Sequence, residues 1–250
     1  MKRGPTAEGG KPRPASPGAR GPGEPHLAAF ATAKHGSLAE PARTTQDAEP
    51  GGRLRIGGYL PASFSDYPGR LAAVIFTQGC NFRCPWCHNP GLLDPQGPEL
   101  YNGEKIIGRL AARKGKIGGV VISGGEPTLQ PDLLPFCRRL RDLGLAVKLD
   151  TNGSRPEVLA QALTAGVVDY IAMDLKAPWE KYPQLAGVAV DPALIRRSME
   201  MIAASGIAHH FRTTAVADLL SPADLAAIRA LVPAGSSYKV QPFRQVPPSA

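Results

Sequence analysis

At 250 residues, 43% of them hydrophobic, the chain is long enough to bury one sizeable core. Its four cysteines are too few for a disulfide framework and suit a reducing cytoplasm, while the lack of an 18-residue apolar run or a leading apolar h-region predicts neither a membrane span nor a secretory signal. The net charge of +8 is spread along the chain, and pairs such as Arg138–Arg139 and Arg196–Arg197 fall on predicted helices as solvated faces, so nucleic acid is not the expected partner and an acidic protein stays open.

Residues 1–52 are dense in Pro, Gly and charge and poor in aromatic and β-branched residues, which predicts a disordered extension without a catalytic role. A folded domain is expected over residues 53–250. Apolar, β-rich runs at 72–77, 119–123, 146–150, 169–174, 211–216 and 238–241 predict six strands. Helical spacing predicts helices over about 104–114, 129–143, 155–165, 192–205 and 222–231, the last with Ser221 as N-cap, Pro222 in the first turn and Asp224 behind it. Single helices between strands imply right-handed crossovers and a parallel sheet. Six strands are two short of a closed eightfold barrel, so an open, partial α/β barrel is expected.

Nearly every predicted strand ends in polar residues: Thr77-Gln78-Gly79-Cys80, Ser123-Gly124-Gly125-Glu126-Pro127, Asp150-Thr151-Asn152-Gly153, Asp174-Leu175-Lys176, Arg212-Thr213-Thr214 and Gln241-Pro242-Phe243-Arg244. At that rim of a β/α barrel these groups converge on one cavity. The early stretch Asp66-Tyr67-Pro68-Gly69 reads as a plain turn.

"TQGCNFRCPWCHNP", residues 77–90, carries three of the four cysteines. A structural zinc site normally closes with four ligands. Three thiolates in one loop, Cys80, Cys84 and Cys87, instead suit a metal centre left one position short, and soft thiolates select iron–sulfur clusters. The competing reading is a zinc-bound interaction module completed by His88 or Cys137. Cys137 sits among apolar residues at helical spacing and reads as a core thiol, while His88 reads as a local hydrogen-bonding group. Gly124 and Gly125, at the end of a strand, would let a ligand approach the backbone.

The Cys-x3-Cys-x2-Cys spacing, followed some forty residues later by Gly124-Gly125-Glu126-Pro127, resembles the signature of radical S-adenosylmethionine enzymes. "SDYPGRLAAVIFTQGCNFRCPWCHNP", "VVISGGEPTLQ", "VKLDTNGSRPEVL", "VDYIAMDLKAPWEKY" and "FRTT" together resemble the activating proteins of glycyl radical enzymes, and among them the anaerobic ribonucleoside-triphosphate reductase activating protein family, over roughly residues 54–244. The resemblance implies an open partial (βα)6 barrel of the radical SAM type. It implies one [4Fe-4S] cluster on Cys80, Cys84 and Cys87, with S-adenosylmethionine on the fourth iron. Gly124, Gly125, Glu126 and Pro127 would face the cofactor's methionine amino group. Asp150, Thr151 and Asp174 would lie near a monovalent cation and the cofactor carboxylate, with Lys176 beside them. An external donor such as flavodoxin or ferredoxin would reduce the cluster, and the 5'-deoxyadenosyl radical would take hydrogen from a glycine of a partner glycyl radical enzyme. The alternatives are a pyruvate formate-lyase-type activase and a radical S-adenosylmethionine enzyme acting on a small molecule, such as a deazapurine synthase.

Overall fold

The computed structural model describes Met1 and residues 54–244; the expected disordered extension lies outside the described residues. Seven strands form one sheet in sequence order: β1 (Ile56–Ser63), β2 (Ala72–Thr77), β3 (Gly119–Gly124), β4 (Ala146–Thr151), β5 (Tyr170–Asp174), β6 (Ala208–Ala215) and β7 (Ser237–Pro242). β2 to β7 are parallel, in register pairs such as Val74↔Val121, Asp174↔Arg212 and Arg212↔Lys239. They are the six expected strands. β1 corrects that count, because it adds an antiparallel edge beside β2. Its sequence, IGGYLPAS, carries two glycines and a proline and so reads as loop. The glycines are needed where β1 lies against its neighbours: a Cβ on Gly57 would stand 2.3 Å from Gln78 Oε1.

The crossovers carry helices α1 (Gly103–Ala111), α2 (Leu133–Asp142), α3 (Pro156–Thr164), α4 (Tyr182–Ala186), α5 (Pro192–Ala204) and α6 (Pro222–Leu231). Their starts follow from side-chain caps that satisfy orphan N–H groups. Asn102 accepts from Lys105 N at 3.1 Å, Asp191 from Ala193 N at 2.8 Å, and Ser221 with Asp224 closes a reciprocal capping box on α6. α4, only five residues long, was not foreseen; it ends at Gly187, whose left-handed φ of 70° favours glycine.

The sheet's two faces differ. The larger core packs Ile75, Ile122, Val147, Leu149, Ile171 and Phe211 with Phe136, Leu140, Leu159, Ile195 and Ile228 from the helices. A smaller cluster, Tyr67, Ala72, Val74 and Val121 with Tyr170, covers the opposite side. Toward the C-terminal strand ends that side turns polar, which follows from period-two alternation: Lys148 and Asp150, His210 and Arg212 fall on one face.

Candidate active site

The cysteine loop leaves β2 through Gly79, whose φ of 97° favours glycine. Three neighbours brace it. From β3, Gly125 N donates to Thr77 O (2.9 Å) and Glu126 N to Gly79 O (2.8 Å). From β4, Asn152 Nδ2 donates to Asn81 Oδ1 (2.9 Å), and Asn81 Nδ2 donates to Ser154 Oγ (2.8 Å). From α4, Ala186 O accepts from Arg83 N at 2.7 Å. The strand-end motifs are therefore the scaffold on which the cysteines stand.

The paired glycines also meet a demand of the scaffold itself. A Cβ on Gly124 would stand 2.2 Å from Thr77 N, and one on Gly125 2.0 Å from Gly79 O. Both glycines permit β3 to press on the protein's own cysteine-loop backbone. Glu126 is fully buried; its Oε1 accepts from Thr128 N, Thr128 Oγ1 and Thr151 Oγ1 (3.0, 2.6 and 2.8 Å) and its Oε2 from Asn152 N at 2.7 Å. Burial raises its pKa and those donors oppose the rise. The carboxylate pins the end of β4 to the end of β3.

Cys80, Cys84 and Cys87 are half-buried, free and border one cavity of about 1170 Å3. Gly124, Gly125, Glu126, Asp150, Thr151, Asp174 and Lys176 border it too; Pro127 is buried just behind. Burial pushes the Cys80 thiol up to about 12 and that of Cys84 upward, and the Lys176 ammonium favours the thiolate of each. Coordination to a metal would release those protons. Among the described residues, no three or more His, Cys, Asp or Glu side chains gather as one metal ion requires, whereas structural zinc draws four ligands to about 2.0–2.3 Å. Three soft thiols facing one cavity fit a cluster, in which each binds a different iron. Cys137 stays in the α2 core, 1% exposed. His88 stacks on Phe243 with ring centroids 5.0 Å apart. Phe82 and Trp86 are buried beside the thiols and shield that side.

Along the wall runs a ladder of alternating charge. Lys148 pairs with Asp150; Arg212 Nη2 stands 3.2 Å from Asp150 Oδ2; Arg212 Nε pairs with Asp174; Lys176 Nζ stands 2.9 Å from Asp174 Oδ2. Against its burial, Asp174 is held well below the carboxylate range by Arg212 and then Lys176, and Asp150 is lowered by Arg212 and Lys148. Burial depresses the Lys148 ammonium, which is 1% exposed. His210, 2.9 Å from Tyr170 Oη through Nδ1, is pushed down to about 4 by burial and then by Arg212 and Lys148. Sequence reasoning named Asp150, Asp174 and Lys176 as site residues and placed Arg212 at the strand-end rim, but left out Lys148 and His210. Two-residue spacing, Lys148 to Asp150 and His210 to Arg212, was the available signal.

Comparison with known proteins agrees with this geometry. The model of the radical SAM superfamily matches residues 74–224. A protein named as a glycyl-radical enzyme activating enzyme in Methanocaldococcus jannaschii is 31% identical over 198 residues, 75% of this chain and 79% of that one. A protein named as a GTP 3',8-cyclase in Pyrococcus horikoshii is 35% identical over 126 residues, 49% of this chain but only 40% of the cyclase. Streptococcus suis SuiB bound to S-adenosylmethionine shares the fold, with a TM-score of 0.53 and 19% identity over 69% of this chain and 40% of that one. The superfamily implies a [4Fe-4S] cluster and S-adenosylmethionine as cofactors. The chain is an enzyme of the radical SAM superfamily and belongs there to the glycyl-radical enzyme activating family.

Proposed function

We propose that this enzyme removes a hydrogen atom from a glycine α-carbon of a partner glycyl radical enzyme, and that the partner is an anaerobic ribonucleoside-triphosphate reductase. The observation that carries the reading is the cysteine loop opening on a cavity of about 1170 Å3 in a sheet whose first and last strands do not pair. Such an opening admits a loop of another protein. The activating-enzyme relative supports it over 79% of its own length, whereas the cyclase relative is matched over 40% of its length. The motif resemblance supports the choice of reductase over pyruvate formate-lyase as partner.

In this reading Cys80, Cys84 and Cys87 hold the cluster. Gly124, Gly125, Glu126, Pro127 and Thr151 form the wall for the cofactor's amino-acid end, and Lys176 and Arg212 face its carboxylate. Asp150 and Asp174 act by holding those cations in place. When bound, the reduced cluster and S-adenosylmethionine supply the radical that takes the hydrogen. Phe82 and Trp86 keep water from it. A monovalent cation beside Asp150 and Asp174 would share carboxylates that already face Arg212, Lys148 and Lys176; potassium or sodium titration of cofactor binding tests it, and tighter binding supports it. An external one-electron donor, flavodoxin or ferredoxin, and a cytoplasmic setting complete the reading, supported by three thiols that must remain reduced.

The test is anaerobic incubation of the reduced protein with S-adenosylmethionine and the reductase, read by electron paramagnetic resonance. A doublet on the partner, from one α-hydrogen coupled to the radical, is expected. Cofactor cleavage without a glycyl signal on any glycyl radical enzyme of the organism would favour a small-molecule substrate. A colourless protein with stoichiometric zinc would favour the interaction module.

A further inference from the structure

The two edges of the sheet are finished differently. β1 is covered: Leu100 N and Tyr101 N both donate to Ile56 O, at 3.0 and 3.2 Å, and Arg113 reaches the carbonyl of Pro61. β7 has no strand on its outer side among the described residues, and all its residues but Tyr238 are exposed. A strand with an unpaired outer edge is a site where another backbone can pair.

The register identifies the groups on offer. Phe243 N donates to Ala215 O at 2.9 Å. By period two, Gln241 and Lys239 also turn their N–H and C=O toward β6, so Tyr238 and Val240 turn theirs outward. Pro242, which has no N–H, falls on that outward side, where proline is tolerated. The edge thus presents two complete donor–acceptor residues and then a stop, enough for a short segment but not a long ladder. Lys239 and Gln241 point to the cavity side, as do their register partners Arg212 and Thr214. Phe64, 80% exposed, borders the same cavity from the connection after β1.

Charge selects the occupant. The wall carboxylates Asp150 and Asp174 are engaged by Lys148, Arg212 and Lys176, and β7 carries Lys239 but no carboxylate. We propose that the open edge of β7 is the docking strip for an extended, acidic segment of the protein substrate. That segment pairs with Tyr238 and Val240, sets a carboxylate against Lys239 and an apolar side chain against Phe64, and so lays its backbone across the cavity mouth. A glycine is the residue that can come closest there, having no Cβ. This deepens the glycyl-radical reading and rests on it.

The probe is a short fluorescent peptide that alternates Glu with Val around one central Gly, added to the anaerobic full-length protein. Binding is expected to slow amide exchange at Tyr238 and Val240 by about tenfold or more at saturation. Methylating alternate peptide nitrogens, or exchanging its Glu for Lys, should abolish the effect; Lys239→Glu and Phe64→Ala should each weaken binding about tenfold or more. Equal binding of the N-methylated peptide, or protection elsewhere, would overturn the proposal. So would Tyr238 and Val240 amides already protected in the protein alone, since the terminal segments or a second copy would then hold the edge. Peptide binding requires no radical chemistry, so its failure leaves the glycyl-radical test standing.

Discussion

Gly125 lies so close to Gly79 that a Cβ on the first would stand 2.0 Å from the carbonyl oxygen of the second. Gly125→Ala must therefore push β3 off the base of the cysteine loop. Overpacking of this kind costs about 1–3 kcal/mol, and the expected result is a lower melting temperature together with reduced iron content. Gly108→Ala is the control: it lies in α1 with nothing within 4 Å of the added Cβ, so it should stabilise by up to about 1 kcal/mol. Equal iron in the two variants would remove Gly125 from the scaffold.

The sequence made the six parallel strands legible because each is a run of apolar, β-branched residues between helix-length segments. It hid β1, whose Gly57, Gly58 and Pro61 read as loop and whose pairing is set by β2 rather than by propensity. It hid α4, whose single turn is too short to show a period. At the site, residue types at strand ends were readable, but partners were not. Glu126 was readable as a residue of the site, but not the hydrogen bonds by which it also ties β3 to β4. Arg212 reaches Asp150 on β4 and Asp174 on β5, pairings that only the register creates.

The cysteines divide by place. Replacing Cys80, Cys84 or Cys87 with Ala should abolish iron binding and cofactor cleavage. Cys137→Ala should retain both and cost about 1–3 kcal/mol, since it opens a small void at a site 1% exposed. Iron and sulfide analysis of four purified variants checks this; iron loss in Cys137→Ala equal to the others would end the three-thiol assignment.

The cap of α4 tests the third brace. Gly187 has φ of 70°, and a Cβ there would stand 2.1 Å from Arg83 O. Gly187→Ala should cost about 1–3 kcal/mol and displace the loop between Cys80 and Cys84. The expected signature is a changed cluster electron paramagnetic resonance spectrum, or iron loss, with the far-ultraviolet circular dichroism unchanged. An unaltered spectrum at full iron would show that α4 does not position the loop.

His210 predicts a pH dependence of stability. Burial first, then Arg212, Lys148 and Lys239, hold its folded pKa down to about 4, and Asp150 opposes them; the unfolded value is about 6.5. Between those values the unfolded chain binds a proton that the folded chain does not. Stability conferred by the neutral ring is thus complete above about pH 6.5, falls as pH drops toward 4, and then levels. Asp150 and Asp174, both held low, lose their own contribution only in more acid solution. His210→Gln keeps a group that can accept from the Tyr170 hydroxyl but cannot titrate. The difference in denaturation free energy between wild type and this variant should change by up to about 1.4 kcal/mol per pH unit between pH 6 and 5. Parallel curves across that window would mean that His210 is charged in the folded protein and that the ladder carries one more cation than the geometry implies.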